Sequence, residues 1–128
     1  IKLTMMKTIK ILFLFVGMLV SSAVSAQEYV EHGTTNVADG TATLYYKVSE
    51  NGVRFKLENN TSKTLYCKIV EVSANWTDGK TRTKDIYIKW IPAGEERSEI
   101  YWQTDNYSTM KGWSFEAWRV SADLEDLE

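Results

Sequence analysis

The sequence predicts an all-β domain, an antiparallel sandwich of about seven strands. Three observations lead there. From Ala42 onward apolar and polar residues alternate with a period of two, the spacing of a half-buried strand. Turn-forming residues recur about every ten positions, as in sandwiches and barrels. Beyond residue 26 no segment carries a helical period of useful length.

The first segment has a different character. Lys7 and Lys10 precede an apolar run, Ile11 to Val20, and the small-residue stretch Ser21 to Ala26 leads to Gln27. A cationic start, an apolar middle and a small-residue cleavage pattern describe a secretory signal-peptide helix. The apolar run is about ten residues, against about 20 for a spanning helix. Cleavage after Ala26 is therefore expected, and a membrane anchor is not. No Cys stands at the boundary to carry a lipid. Ile1 to Thr4 precede Met5 and read as sequence upstream of the start. The expected product is secreted or periplasmic, with a sandwich over residues 27–122 and a frayed acidic tail over 123–128.

Gln27 to Asp39 are mixed and polar, with a short edge strand expected at Tyr29-Val30. Ala42, Leu44, Tyr46 and Val48 then alternate with Thr43, Tyr45, Lys47 and Ser49. Asn51-Gly52 is a hairpin signal. Val53, Phe55 and Leu57 follow, then Leu65, Cys67 and Ile69. There the phase slips, and Val72, Ala74 and Trp76 carry the apolar face. A one-residue slip would turn the strand inside out, so a β-bulge is expected near Ile69-Val70. Asp78-Gly79 makes the next turn, and Ile86, Ile88 and Trp90 the next apolar row. Pro92 ends that strand, because proline cannot donate to a ladder. Ile100 and Trp102 mark another, and the last runs from Trp113 to about Val120.

Charge narrows the partners. The formal net charge is −2. Cleavage would remove Lys2, Lys7 and Lys10 and no acid, leaving a more acidic domain whose basic residues look scattered. That disfavours nucleic acid and anionic membranes as partners. A single cysteine, Cys67, forms no internal disulfide, and its alternation with Leu65 and Ile69 predicts burial.

No catalytic constellation stands out. His32 is the only histidine, expected to be solvated, and a zinc site needs three or four ligands. No metalloprotease, nucleophile-elbow or phosphate-loop motif occurs. Neither catalysis nor a cofactor is expected. Asp78, Glu95 and Glu96 read as solvated turn acids. Asn59, Asn60, Asn75 and Asn106 begin sequons and are taken as turn residues.

Aromatic residues carry the functional hint. Trp76, Trp90 and Trp102 run in phase with core aliphatics and are expected inside. Tyr45, Tyr66, Tyr87 and Tyr101 fall on the polar side of four strands. Trp113 and Trp118 have opposite parity, so both cannot face the core of one regular strand. An outer sheet face carrying Tyr66, Tyr87 and Tyr101, joined by Trp118, is the expected binding surface. Such a row stacks on sugar rings or anchors a protein; the alternative is cross-strand aromatic pairing with no ligand. The expected partner is another exported protein or a cell-surface glycan.

The stretches Val53 to Thr61, Val72 to Gly79, Ile91 to Glu95 and Gly112 to Ala117 together resemble small secreted bacterial immunoglobulin-like modules of the CARDB type. The likeness covers Val53 to Asp123 and implies an immunoglobulin-like sandwich that binds, adheres or spaces other parts. Asn60 to Thr64 and Ile91 to Gly94 also resemble aegerolysin-type lipid-binding sandwiches. That likeness implies a lipid- or membrane-interacting alternative. A secreted enzyme inhibitor fits the size and charge as well.

Overall fold

The computed structural model describes residues 28–102 and 108–128, with Tyr101 and Trp102 described by backbone alone. The leader and its cleavage after Ala26 lie outside the described residues, as do Asn106, Tyr107 and the side chain of Trp102.

The described residues form two antiparallel sheets. The strands are β1 (Val30–Val37), β2 (Gly40–Ser49), β3 (Gly52–Asn60), β4 (Leu65–Trp76), β5 (Thr81–Ile91), β6 (Glu96–Trp102), β7 (Met110–Ser114) and β8 (Ala117–Ser121). One sheet has the order β1-β2-β3-β6. The other has β5-β4-β7, and β8 also pairs with β4. The all-β, sandwich-like architecture expected from the alternation is therefore present.

The core lies between the sheets. Leu44, Phe55 and Leu57 come from the first; Leu65, Cys67, Ile69, Val72, Trp76, Ile86, Ile88 and Ile91 come from the second. Burial of such side chains stabilises by about 1.5–3 kcal/mol each relative to exposure. The bulge expected near Ile69-Val70 is present: the β4–β5 register shifts between Ile69 and Val72. Glu71 takes a φ of 52° there, and its N–H donates to Asp85 Oδ1 at 2.8 Å.

A second bulge corrects the tryptophan expectation. The register also shifts between Leu65 and Cys67, whose partners are Ile91 and Ile88. Lys89 and Trp90 occupy the extra length, and Trp90 takes a φ of 57°. Ile91 thus enters the core in place of Trp90, which is 60% exposed.

The N-terminal edge is longer than expected. β1 runs for eight residues, against the short strand expected at Tyr29-Val30. Its alternation is hidden because its residues are mostly polar. Thr34 and Thr43 face each other across the pair, their hydroxyls 2.8 Å apart. Ala38, with a φ of 52°, makes the turn into β2. Gly40 follows because a β-carbon there would run into the carbonyl oxygen of Asn60.

The last expected strand is two strands. It breaks at Phe115-Glu116, where the Glu116 N–H reaches back to Val70 O at 2.9 Å. The break resets the parity, so Trp113 and Trp118 both lean against the core. The acidic tail is docked rather than frayed. Asp123 caps a 3-10 turn, Leu124–Leu127, by accepting from Glu125 N. Leu127 is buried, and its carbonyl accepts from Lys68 Nζ at 3.2 Å.

Cys67 is buried, as expected. Burial pushes its thiol up to about 12. Since the thiolate is the nucleophile, native protein at pH 8 is expected to leave Ellman's reagent unreacted. One equivalent should react once guanidinium is added. Full reaction of native protein within minutes would contradict this burial.

Candidate functional site

The structure does not gather the four expected site residues on one face. Tyr66 lies on β4 and Tyr87 on β5, in the same sheet. Tyr101 lies on β6 in the other sheet, opposite Val53 in register. Trp118 leans half-buried against the core from β8. Alternation within a strand predicts the side of that strand; it does not say which sheet the strand joins.

What forms instead, on β4 and β5, is an aromatic pair and a separate tyrosine held under two lysines. Tyr66, 9% exposed, meets the Trp90 ring edge-on, with centroids 5.1 Å apart at 70°. Tyr87 pairs with Lys68 in register. Its ring lies beneath Lys68 Nζ at 5.5 Å and Lys89 Nζ at 5.3 Å. Lys68 is held in turn by Asp85 Oδ2 at 3.7 Å. Trp90 thus stands out from a base of one tyrosine, while Tyr87 and its two lysines belong to the same pair of strands. A bulky residue at positive φ is uncommon and costs about 1–3 kcal/mol where it persists. Sequence reasoning missed Trp90 because it fitted the core period. The available signal was two successive large apolar residues, Trp90-Ile91, directly before Pro92.

A second aromatic group lies at the open edge between β1 and the β7–β8 break. His32, Tyr46, Trp113, Phe115 and Trp118 line a cleft of about 340 Å³. His32 packs edge-on against Phe115, with centroids 4.8 Å apart, and approaches Trp118 at 6.1 Å. Although exposed, His32 is thus engaged with aromatic rings, beyond the purely solvated role expected of it.

The outer face of the first sheet gathers basic residues, against the scattered distribution read from the sequence. Lys47 Nζ and Lys56 Nζ approach the Tyr29 ring at 4.8 and 4.2 Å. Lys56 also pairs with Glu96 at 3.6 Å. The Tyr45 hydroxyl donates to Glu58 Oε1 at 3.3 Å. Burial and the neighbouring Glu58 charge push that phenol up to about 12.

The remaining polar candidates have structural partners. Asp78 Oδ2 accepts from Arg82 Nη2 at 2.8 Å, and Oδ1 accepts from Lys80 N at 2.9 Å. These bonds, the Arg82 contact foremost, lower its carboxyl to about 2. Asn59 is fully buried in a hydrogen-bonded corner, where a glycosylated side chain has no room. Among the described residues, no three His, Cys, Asp or Glu side chains come together as a metal site.

No family model, curated protein or solved structure matches the chain.

Proposed function

We propose that this domain is a secreted or periplasmic, non-enzymatic binding module whose platform is Trp90 with Tyr66 and Tyr87. Its ligand is a cell-surface glycan. The carrying observation is Trp90 itself, a large aromatic held out of the core at positive φ and braced by Tyr66. Exposed aromatic rings offer a flat apolar surface to the C–H face of a sugar, and amphipathic side chains at the rim hydrogen-bond its hydroxyls. Lys68 and Lys89 supply such a rim.

We also infer an immunoglobulin-like strand order, in keeping with the sequence resemblance. The support is that β3 lies beside β6 and β4 beside β7, with the chain changing sheets after β3, after β5 and after β6.

A tryptophan fluorescence titration against a panel of soluble neutral polysaccharides tests the platform. A saturable change is expected with at least one polymer. Trp90→Ala is expected to abolish it while leaving the unfolding free energy within about 0.5 kcal/mol, as for other exposed positions. No response across the panel overturns the glycan reading.

A second reading, with an exported protein as partner, draws on the edge cleft. His32, Tyr46, Trp113, Phe115 and Trp118 present aromatic surface of the kind that anchors protein interfaces.

A further inference from the structure

We propose that Lys47 and Arg54, with the cleft beside them, form a site for an oxyanion: the carboxylate or sulfate group of an acidic polysaccharide. The two residues stand directly opposite each other on β2 and β3. Their neighbours Tyr46 and Phe55, also paired, turn inward to the core, so the two cations share the outer face. Like charges directly opposite in an antiparallel pair are destabilising. Neither cation has an ion-pair partner among the described residues, and Arg54 has no side-chain hydrogen bond or ring contact there.

The acids of the same face do not pair with these two cations: Glu31 stands opposite Tyr45, one row away. Glu96 pairs with Lys56, and Glu58 accepts from Tyr45 and Asn60. The face thus carries Glu58 and Glu96 toward one end and, toward the other, a cation pair without an ion-pair partner, its Lys47 resting over the Tyr29 ring. In a chain of net charge −2, this pair is a local reversal of sign.

A recess of about 250 Å³ adjoins the pair, lined by Ser49, Asn51, Gly52 and Ile100 as well as the two cations. An oxyanion between Lys47 and Arg54 would accept charge-assisted hydrogen bonds, the strong kind, with the planar Arg54 guanidinium suited to a bidentate contact. The recess leaves room for the ring that bears the charge. Ile100, 41% exposed, offers that ring an apolar contact, and Asn51 offers an amide. This site lies on the opposite sheet from Trp90, so the two readings stand or fall separately.

The test is an NMR titration of the isotope-labelled protein with chondroitin sulfate, polygalacturonate and neutral dextran in parallel. Amide shifts are expected at Lys47, Ser49, Asn51 and Arg54 with one or both acidic polymers, weakening with added salt, and not with dextran. The two acidic arms separate a sulfate ligand from a carboxylate. The double variant Lys47→Gln with Arg54→Gln is expected to bind at least about tenfold more weakly, since one charge-assisted hydrogen bond is worth about that much. A charge-matched control, Lys80→Gln with Lys111→Gln, should bind as the parent does. Absence of these shifts with both acidic polymers overturns the proposal. Equal weakening in the two variants also overturns it, by showing diffuse charge attraction. Unfolding curves of both variants verify that each is folded.

Discussion

Asn59→Ala is expected to lower the unfolding free energy by about 4 kcal/mol, from the cost of stranding several buried polar groups. Asn59 sits fully buried at the end of β3. Its Nδ2 lies 2.8 Å from Lys63 O, 2.9 Å from Ile91 O and 3.0 Å from Pro92 O. Its Oδ1 accepts from Thr61 N at 3.0 Å and from Thr61 Oγ1 at 2.7 Å. One amide thus ties the corner leaving β3 to the corner leaving β5. These are two of the three points where the chain crosses between sheets, the third following β6. Alanine would strand carbonyls and an N–H in a place water reaches poorly, and each such group costs about 1–3 kcal/mol. Asn59→Asp should be as damaging, because a carboxylate would face three carbonyl oxygens. Urea unfolding checks this through a lower midpoint at unchanged slope. A loss below 1 kcal/mol would mean that the corners hold without the amide.

Trp76→Ala is expected to cost about 3–5 kcal/mol, the range for removing a large aromatic from a packed core. Among the described residues Trp76 is the largest fully buried side chain, at 1% exposure. It closes β4, and its own backbone sets the hairpin: its N–H donates to Lys80 O at 3.0 Å, and its carbonyl accepts from Gly79 N at 2.9 Å. The Arg82 guanidinium lies 5.9 Å from its ring. Trp76→Phe keeps much of the volume and should recover more than half of the loss. Trp90→Ala supplies the contrast within one chain. Both tryptophans share the apolar period in the sequence, yet only one is predicted to matter for stability. Equal losses at the two positions would refute the placement of Trp90 outside the core.

The parts of the fold that were legible in the sequence are those where polarity and geometry agree. β2 and β3 alternate without interruption, and the turn between them carries Asn51-Gly52. The bulge before Val72 was visible because it moves apolar residues from one parity to the other. The bulge at Trp90 was not, because it exchanges one large apolar residue for its neighbour Ile91. β1 was obscured by its threonines, which pair through hydroxyls at a sheet edge and give little hydrophobic contrast. The docking of Leu127 was hidden by the acids around it.

The binding surface was legible only in part. Tyr66 and Tyr87 share a sheet, as expected; Tyr101 and Trp118 do not join them. Which sheet a strand enters is decided by non-local pairing, which leaves no mark in the local pattern. The clustering of Lys47 with Arg54 is of the same kind. Seven positions separate them along the chain, and only the hairpin register makes them neighbours.

The position of β4 has a consequence for the time course of folding. Every strand of its sheet reaches that sheet through β4, and two of them, β7 and β8, return to it from far along the chain: Tyr66 pairs with Ser121. The β2–β3 and β4–β5 hairpins close short loops and can form within about 1–10 μs. The return of β7 and β8 must wait for a long loop to close, whose entropy is lost before any contact repays it. Refolding is therefore expected on the millisecond-to-second scale of all-β domains. Until that return, β4 exposes an unpaired apolar edge, and this is the interval in which the chain is most open to association with its own copies.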